Sequence, residues 1–99
     1  MANEQQPAAH FLRRRDTWIR WVVENEDLDF SARVVGVHLA MRMNMRDQMA
    51  WPNVKTIAKS VGMSDRQARR AISELEKENA LYVARIEGRG SRYYLRFPW

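Results

Sequence analysis

Arg66, Arg69 and Arg70 lie close together on the stretch DRQARRAISELEKEN, whose apolar residues recur at helical spacing. A guanidinium is planar, permanently charged and rich in N–H donors. It can span two acceptors on the major-groove edge of guanine, or grip a phosphate. On a helix, Ala68, Ala71, Ile72 and Leu75 share one face. Asp65, Arg66, Arg69, Arg70 and Ser73 share the opposite side. One face is thus built to be buried and the other to meet an anion.

The local signals that would hold this helix are unusually complete. Ser64 with Gln67 three residues on forms a capping box, and Met63 with Ala68 is a candidate hydrophobic staple. Gln67 is therefore either an adenine reader or only the partner of that box. Ser64 and the free N–H groups at the helix start suit a phosphate. Before them Gly62, able to take positive φ, ends a shorter helix over residues 54–61 that Asn53 caps. Lys55, Thr56 and Lys59 of that helix would lie toward a nucleic-acid backbone. Small or aliphatic residues at Ile57, Ala58, Val61, Ala68, Ala71 and Ile72 allow two helices to cross closely.

The rest of the chain must position this pair. Residues 1–9 have little apolar content and read as a disordered arm, so the domain spans 10–99. Phe11, Leu12, Trp18, Ile19, Val22 and Val23 follow one face of a helix over 10–25, beginning near His10 or only after Asp16. Trp21 lies off that stripe. An acidic break, 24–29, precedes a second helix over 30–45, with Asp29 as its N-cap and Gly36 permitting close packing. Residues 49–51 could add a short strand. Trp51 reads as a core or hinge residue, and Met41, Met43, Met45 and Met49 as packing filler. After a fourth helix over 65–79, runs at 81–87 and 92–97 are β-rich and flank Gly88-Arg89-Gly90-Ser91, a hairpin connection. Tyr93, Leu95 and Phe97 alternate with Arg92, Tyr94 and Arg96, a half-buried strand with a basic outer face. At the tip, Arg89, Ser91 and Arg92 could hold phosphates or enter a minor groove.

Charge follows the same division. The chain has 99 residues and a formal charge of +5. Residues 1–52 carry seven basic and seven acidic side chains, whereas residues 53–99 carry ten basic and five acidic. The whole excess sits with the helix pair and hairpin, where a polyanion would be drawn. There is no cysteine, which removes thiol catalysis and thiolate zinc sites. His10 and His38 lack partners at ligand spacing, so no metal and no cofactor are expected. No paired carboxylates, Ser–His–Asp set or phosphate-binding glycine loop point to an enzyme, and no small-molecule ligand is evident. No apolar stretch suits a membrane span. The expectation is a soluble cytoplasmic protein associated with the nucleoid or an episome.

The residues resemble the winged helix-turn-helix family of bacterial, phage and plasmid DNA-binding proteins. The resemblance rests on Leu28-Asp29-Phe30-Ser31-Ala32, on Trp51-Pro52-Asn53 with Ile57-Ala58, and on Gly62-Met63-Ser64-Asp65-Arg66-Gln67-Ala68, then Leu75 and Leu81. It covers residues 28–97. It implies an α+β fold: a three-helix core with a C-terminal β-hairpin wing, here with an extra N-terminal helix. It further implies sequence-dependent binding of double-stranded DNA, with helix 65–79 in the major groove and the 88–92 wing on the backbone or minor groove. Asp29 replaces a common Ser cap, and Ala80 stands where a Gly often ends the recognition helix. Residues 10–25 match nothing in the family pattern. Phe11, Trp18 and Trp21 there form a candidate homodimer interface, the alternative being packing onto the scaffold.

The leading functional reading is a small transcriptional regulator. A DNA-binding module for plasmid or phage replication initiation, partition or recombination would use the same chemistry. A winged-helix protein-interaction module is the third reading, and the localised charge excess argues against it.

Overall fold

A computed structural model describes residues 7–99. Four helices, α1 (Pro7–Val23), α2 (Phe30–Met41), α3 (Val54–Val61) and α4 (Asp65–Lys77), precede an antiparallel hairpin of β1 (Leu81–Ile86) and β2 (Gly90–Leu95). The expected arm therefore shrinks: 7–9 belong to α1, and 1–6 lie outside the described residues. Proline is tolerated in a helix's first turn, where its missing N–H would be unpaired anyway. Asp16 is inside α1 and caps nothing.

One core joins all six elements. Trp18, Val22, Leu28, Val35, Leu39 and Ile57 are fully buried or nearly so, together with Leu75, Leu81 and Tyr93. Trp18 contributes the largest of these side chains. Its indole N–H donates to the Ala80 carbonyl at 3.1 Å, and the same carbonyl accepts from the Arg96 N–H at 2.9 Å. Trp18 thus ties α1 to the junction between α4 and the hairpin. Gly36 of α2 provides its seat. A Cβ built there would stand 3.1 Å from Trp18 Cη2.

This burial corrects the expected dimer surface. Phe11 and Trp18 are 8% and 0% exposed and are spent on the chain's own core. Trp21 is half-buried and meets Trp99 with ring centroids 5.6 Å apart. Phe97 stacks edge-on against Trp99, and the Arg14 guanidinium lies 3.7 Å over the Phe97 ring. The chain's last residues therefore cover α1.

Helix α2 stops at Met41 rather than residue 45. Asn44 accepts from the Asp47 N–H at 2.7 Å, a local side-chain turn that competes with further helix. Met43 enters the core, whereas Met41 and Met45 are 68% and 49% exposed, so filler is the wrong role for those two. Trp51 is also exposed, at 57%, and not a core residue. The short strand at 49–51 reduces to a single bridge between Ala50 and Tyr93. The hairpin pairs Leu81 with Leu95 through Ile86 with Gly90. The second strand is thus displaced two residues toward the tip from the expected 92–97.

Candidate nucleic-acid interface

The α3–α4 corner is set by backbone chemistry. Asn53 Oδ1 accepts from the Thr56 N–H at 2.8 Å and starts α3. Gly62 takes φ 73°, ψ 38°, a left-handed conformation that disfavours any Cβ. The Met63 N–H then reaches back to the Ala58 carbonyl at 3.0 Å, closing the helix end in a Schellman arrangement. Ser64 Oγ accepts from the Gln67 N–H at 3.1 Å, and Gln67 Oε1 accepts from the Ser64 N–H at 3.0 Å. The capping box is complete, and it occupies the Gln67 amide oxygen.

Helix α4 buries Ala68, Ala71, Ile72 and Leu75 against α2, α3 and β1. The opposite side presents Arg66, Arg69, Arg70 and Ser73, all exposed. Lys77, also exposed, continues the row at spacings of four, three and four from Arg66. The sequence reading stopped at Ser73, although that spacing was available. Among the described residues the ion pairs are Arg15–Asp16 and Arg85–Glu76. None involves an arginine of α4. Glu74, the acidic residue one turn after Arg70, instead accepts from the Asp29 N–H at 2.8 Å. That bond orients the start of α2 on α4, and Asp29 itself makes no side-chain cap.

The hairpin stands beside this face. Arg69 and Ser73 of α4, with Arg85, Ser91 and Tyr93 of the hairpin, line a groove of about 230 Å³. Burial pushes the Tyr93 phenol up, so it remains neutral. Gly88 and Gly90 take φ of 76° and 80°, which turns the chain around exposed Arg89. Arg92 is exposed and Ser91 half-buried. On α3, Lys55, Thr56 and Lys59 are exposed, but the Thr56 N–H is already bound to Asn53. Ser64 is exposed and Asp65 half-buried at the start of α4.

The residue that sequence reasoning missed is Arg85. Its Nη1 and Nη2 donate to Glu76 Oε2 and Oε1 at 3.0 and 2.8 Å. This two-pronged bond holds the Glu76 carboxyl below its ordinary range and fastens β1 to the last turns of α4. Alternation was the available signal: Arg85 shares a strand face with the buried Leu81 and Val83, the side on which β1 meets α4. The run Arg13-Arg14-Arg15 is largely structural. Arg14 covers Phe97, and Arg15 donates to the Met43 carbonyl at 3.0 Å.

Among the described residues, no three His, Cys, Asp or Glu side chains could share a metal ion. No helix among them is long and apolar enough to cross a membrane.

Two helices meeting at a left-handed glycine, an exposed arginine face on the second and a hairpin fastened alongside define a winged helix-turn-helix. The model for the helix-turn-helix domain family matches residues 26–79, and the chain belongs to that family. Membership implies DNA binding in a unit that is typically non-enzymatic. Helix α1 and the hairpin lie outside the matched span. Among curated proteins, none matches the sequence.

Proposed function

We propose that this chain is a small transcriptional regulator that occupies an operator on double-stranded DNA without chemistry of its own. Helix α4 enters the major groove. Arg66 at its start and Arg70 one turn on, both on the exposed side, read base edges, with Asp65, Arg69 and Ser73 beside them. Gln67 contributes only through the amide nitrogen that the capping box leaves free. Ser64, Lys55, Thr56 and Lys59 meet phosphates on one side of the groove, and Arg89, Ser91 and Arg92 of the wing on the other. The observation that carries this reading is the row of arginines on α4 that form no ion pair among the described residues, flanked by a basic hairpin. A helix face serving only protein contacts would not require that concentration of positive charge.

The test is selection of bound sites from a random duplex pool at fixed salt, followed by mapping of those sites relative to promoters. Enrichment of one sequence overlapping promoters is expected. Enriched sites at a replication origin or partition locus would replace the regulator with a replication or partition module. No enriched duplex, and no salt-dependent binding, would overturn DNA recognition itself.

A further inference from the structure

Helix α2 is apolar on two opposite faces; one is buried in the domain, and the other is covered only in part, at Val34 and Val37. Ala32, Val35, Gly36, Leu39 and Ala40 are buried. On the other side Phe30, Val34, Val37 and Met41 form a row. Phe30 and Met41 are 77% and 68% exposed, and Val23 beside them 50%. A helix apolar all round is normally covered all round. Arg33, which borders the row, turns its guanidinium to the Leu28 and Val23 carbonyls at 2.9 and 3.4 Å. Its charge is thus engaged by backbone carbonyls at the edge of the groove that it lines with Val23, Phe30, Val34 and Val37.

We infer that a second copy of this chain covers the row, with the two α2 helices antiparallel across a twofold axis. Two features select a copy rather than another occupant. First, the row is spaced four, three and four residues apart, the same read in either direction. An antiparallel copy places Phe30 against Met41 of the second copy, and Val34 against its Val37. Aromatic–thioether and aliphatic contacts meet at every position. Second, the ends of α2 carry opposite charge. Glu24, Glu26, Asp27 and Asp29 lead in, and Arg42 and Arg46 lead out; all six are exposed. None of them forms an ion pair among the described residues. Antiparallel docking sets each acidic entry beside the basic exit of the other copy, whereas parallel docking would set like beside like. No residue of the row belongs to the proposed DNA contacts, so the surface stands independently of that reading. Four side chains and two loop ends make a small interface of the weak, reversible class.

Sedimentation of the full chain without DNA, from low to high micromolar, tests the inference. A concentration-dependent species of twice the 11.8 kDa chain mass is expected. Val34→Lys should weaken association by about tenfold or more while helicity is retained, because Val34 is only half-buried and is not one of the buried core residues. Register is tested by oxidation. The natural chain has no cysteine, and positions 30 and 41 are about 16 Å apart along one helix, too far to bridge within a chain. Phe30→Cys/Met41→Cys should cross-link into a dimer, and either single variant should not. A chain that stays monomeric throughout overturns the inference. So does a dimer indifferent to Val34→Lys. Single variants that cross-link as well as the double variant, or a double variant that does not cross-link, overturn the antiparallel arrangement.

Discussion

Arg85 of β1 holds Glu76 of α4 through both carboxylate oxygens, at 2.8 and 3.0 Å. The two residues are close in sequence, and they join α4 to β1. The pair ties the hairpin to the helix that, in the proposed complex, enters the major groove.

Glu76→Gln should accordingly affect DNA binding more than folding. Both side chains are partly exposed, so the stability loss should stay at or below about 1 kcal/mol. Affinity for a selected duplex should fall a few-fold as the wing loosens. The pH dependence has a defined sign. The Glu76 carboxyl is held low in the folded chain, chiefly by the Arg85 hydrogen bonds. Its stabilising effect is therefore complete above the unfolded Glu range and is lost as pH falls through the lower folded value. Denaturation curves for both chains should converge on acidification, and fluorescence anisotropy with labelled duplex gives the affinity.

Gly36→Ala tests the seat of Trp18. Alanine is favoured over glycine inside a helix by about 1 kcal/mol, but the added methyl would meet Trp18 Cη2 at 3.1 Å. The indole cannot withdraw freely, because its N–H is bound to Ala80. Overpacking costs about 1–3 kcal/mol, so net destabilisation is expected, against the helix propensity. Urea denaturation followed by Trp fluorescence measures it. A stabilised variant would show that α1 is less firmly seated than these contacts require.

How much of this was legible in the sequence depended on the range of the determining contact. Caps and turns act within a few residues, so Asn53, Gly62 and the Ser64–Gln67 box could be read directly. The ends of α3 and the start of α4 followed from them. The role of α1 could not be read that way. Trp18 finds its partner 62 residues away, and an apolar stripe has the same pattern whether it faces a core or a second chain. The end of α2 was misplaced because Met43 is buried through a turn rather than a helix. Ala80, a departure from the family's usual glycine, proves harmless: Asn79 takes the left-handed position at φ 60°. Among the site residues, the α4 arginines followed from periodicity. The Glu74–Asp29 and Glu76–Arg85 partnerships needed the tertiary arrangement.

The wing's role predicts a specific salt signature. Arg89 sits exposed between two left-handed glycines, a geometry suited to phosphate contact. Arg89→Ala should weaken binding to all duplexes alike and reduce the slope of log affinity against log salt by about one. Arg66→Ala should instead relax the preference at one base position, at a cost of about 1–3 kcal/mol on the best site. Titrations at several salt concentrations, on cognate and scrambled duplexes, separate the two behaviours.

The proposed reading of DNA by the arginine face of α4 can be measured directly. Its most direct measurement is the affinity of Arg66→Ala/Arg70→Ala for a selected duplex and for a scrambled one, at a single salt concentration. Both side chains are exposed and outside ion pairs among the described residues, so the variant should fold as the natural chain does. A collapse of the difference between the two duplexes is predicted. Affinity and discrimination equal to those of the natural chain would overturn DNA reading by α4.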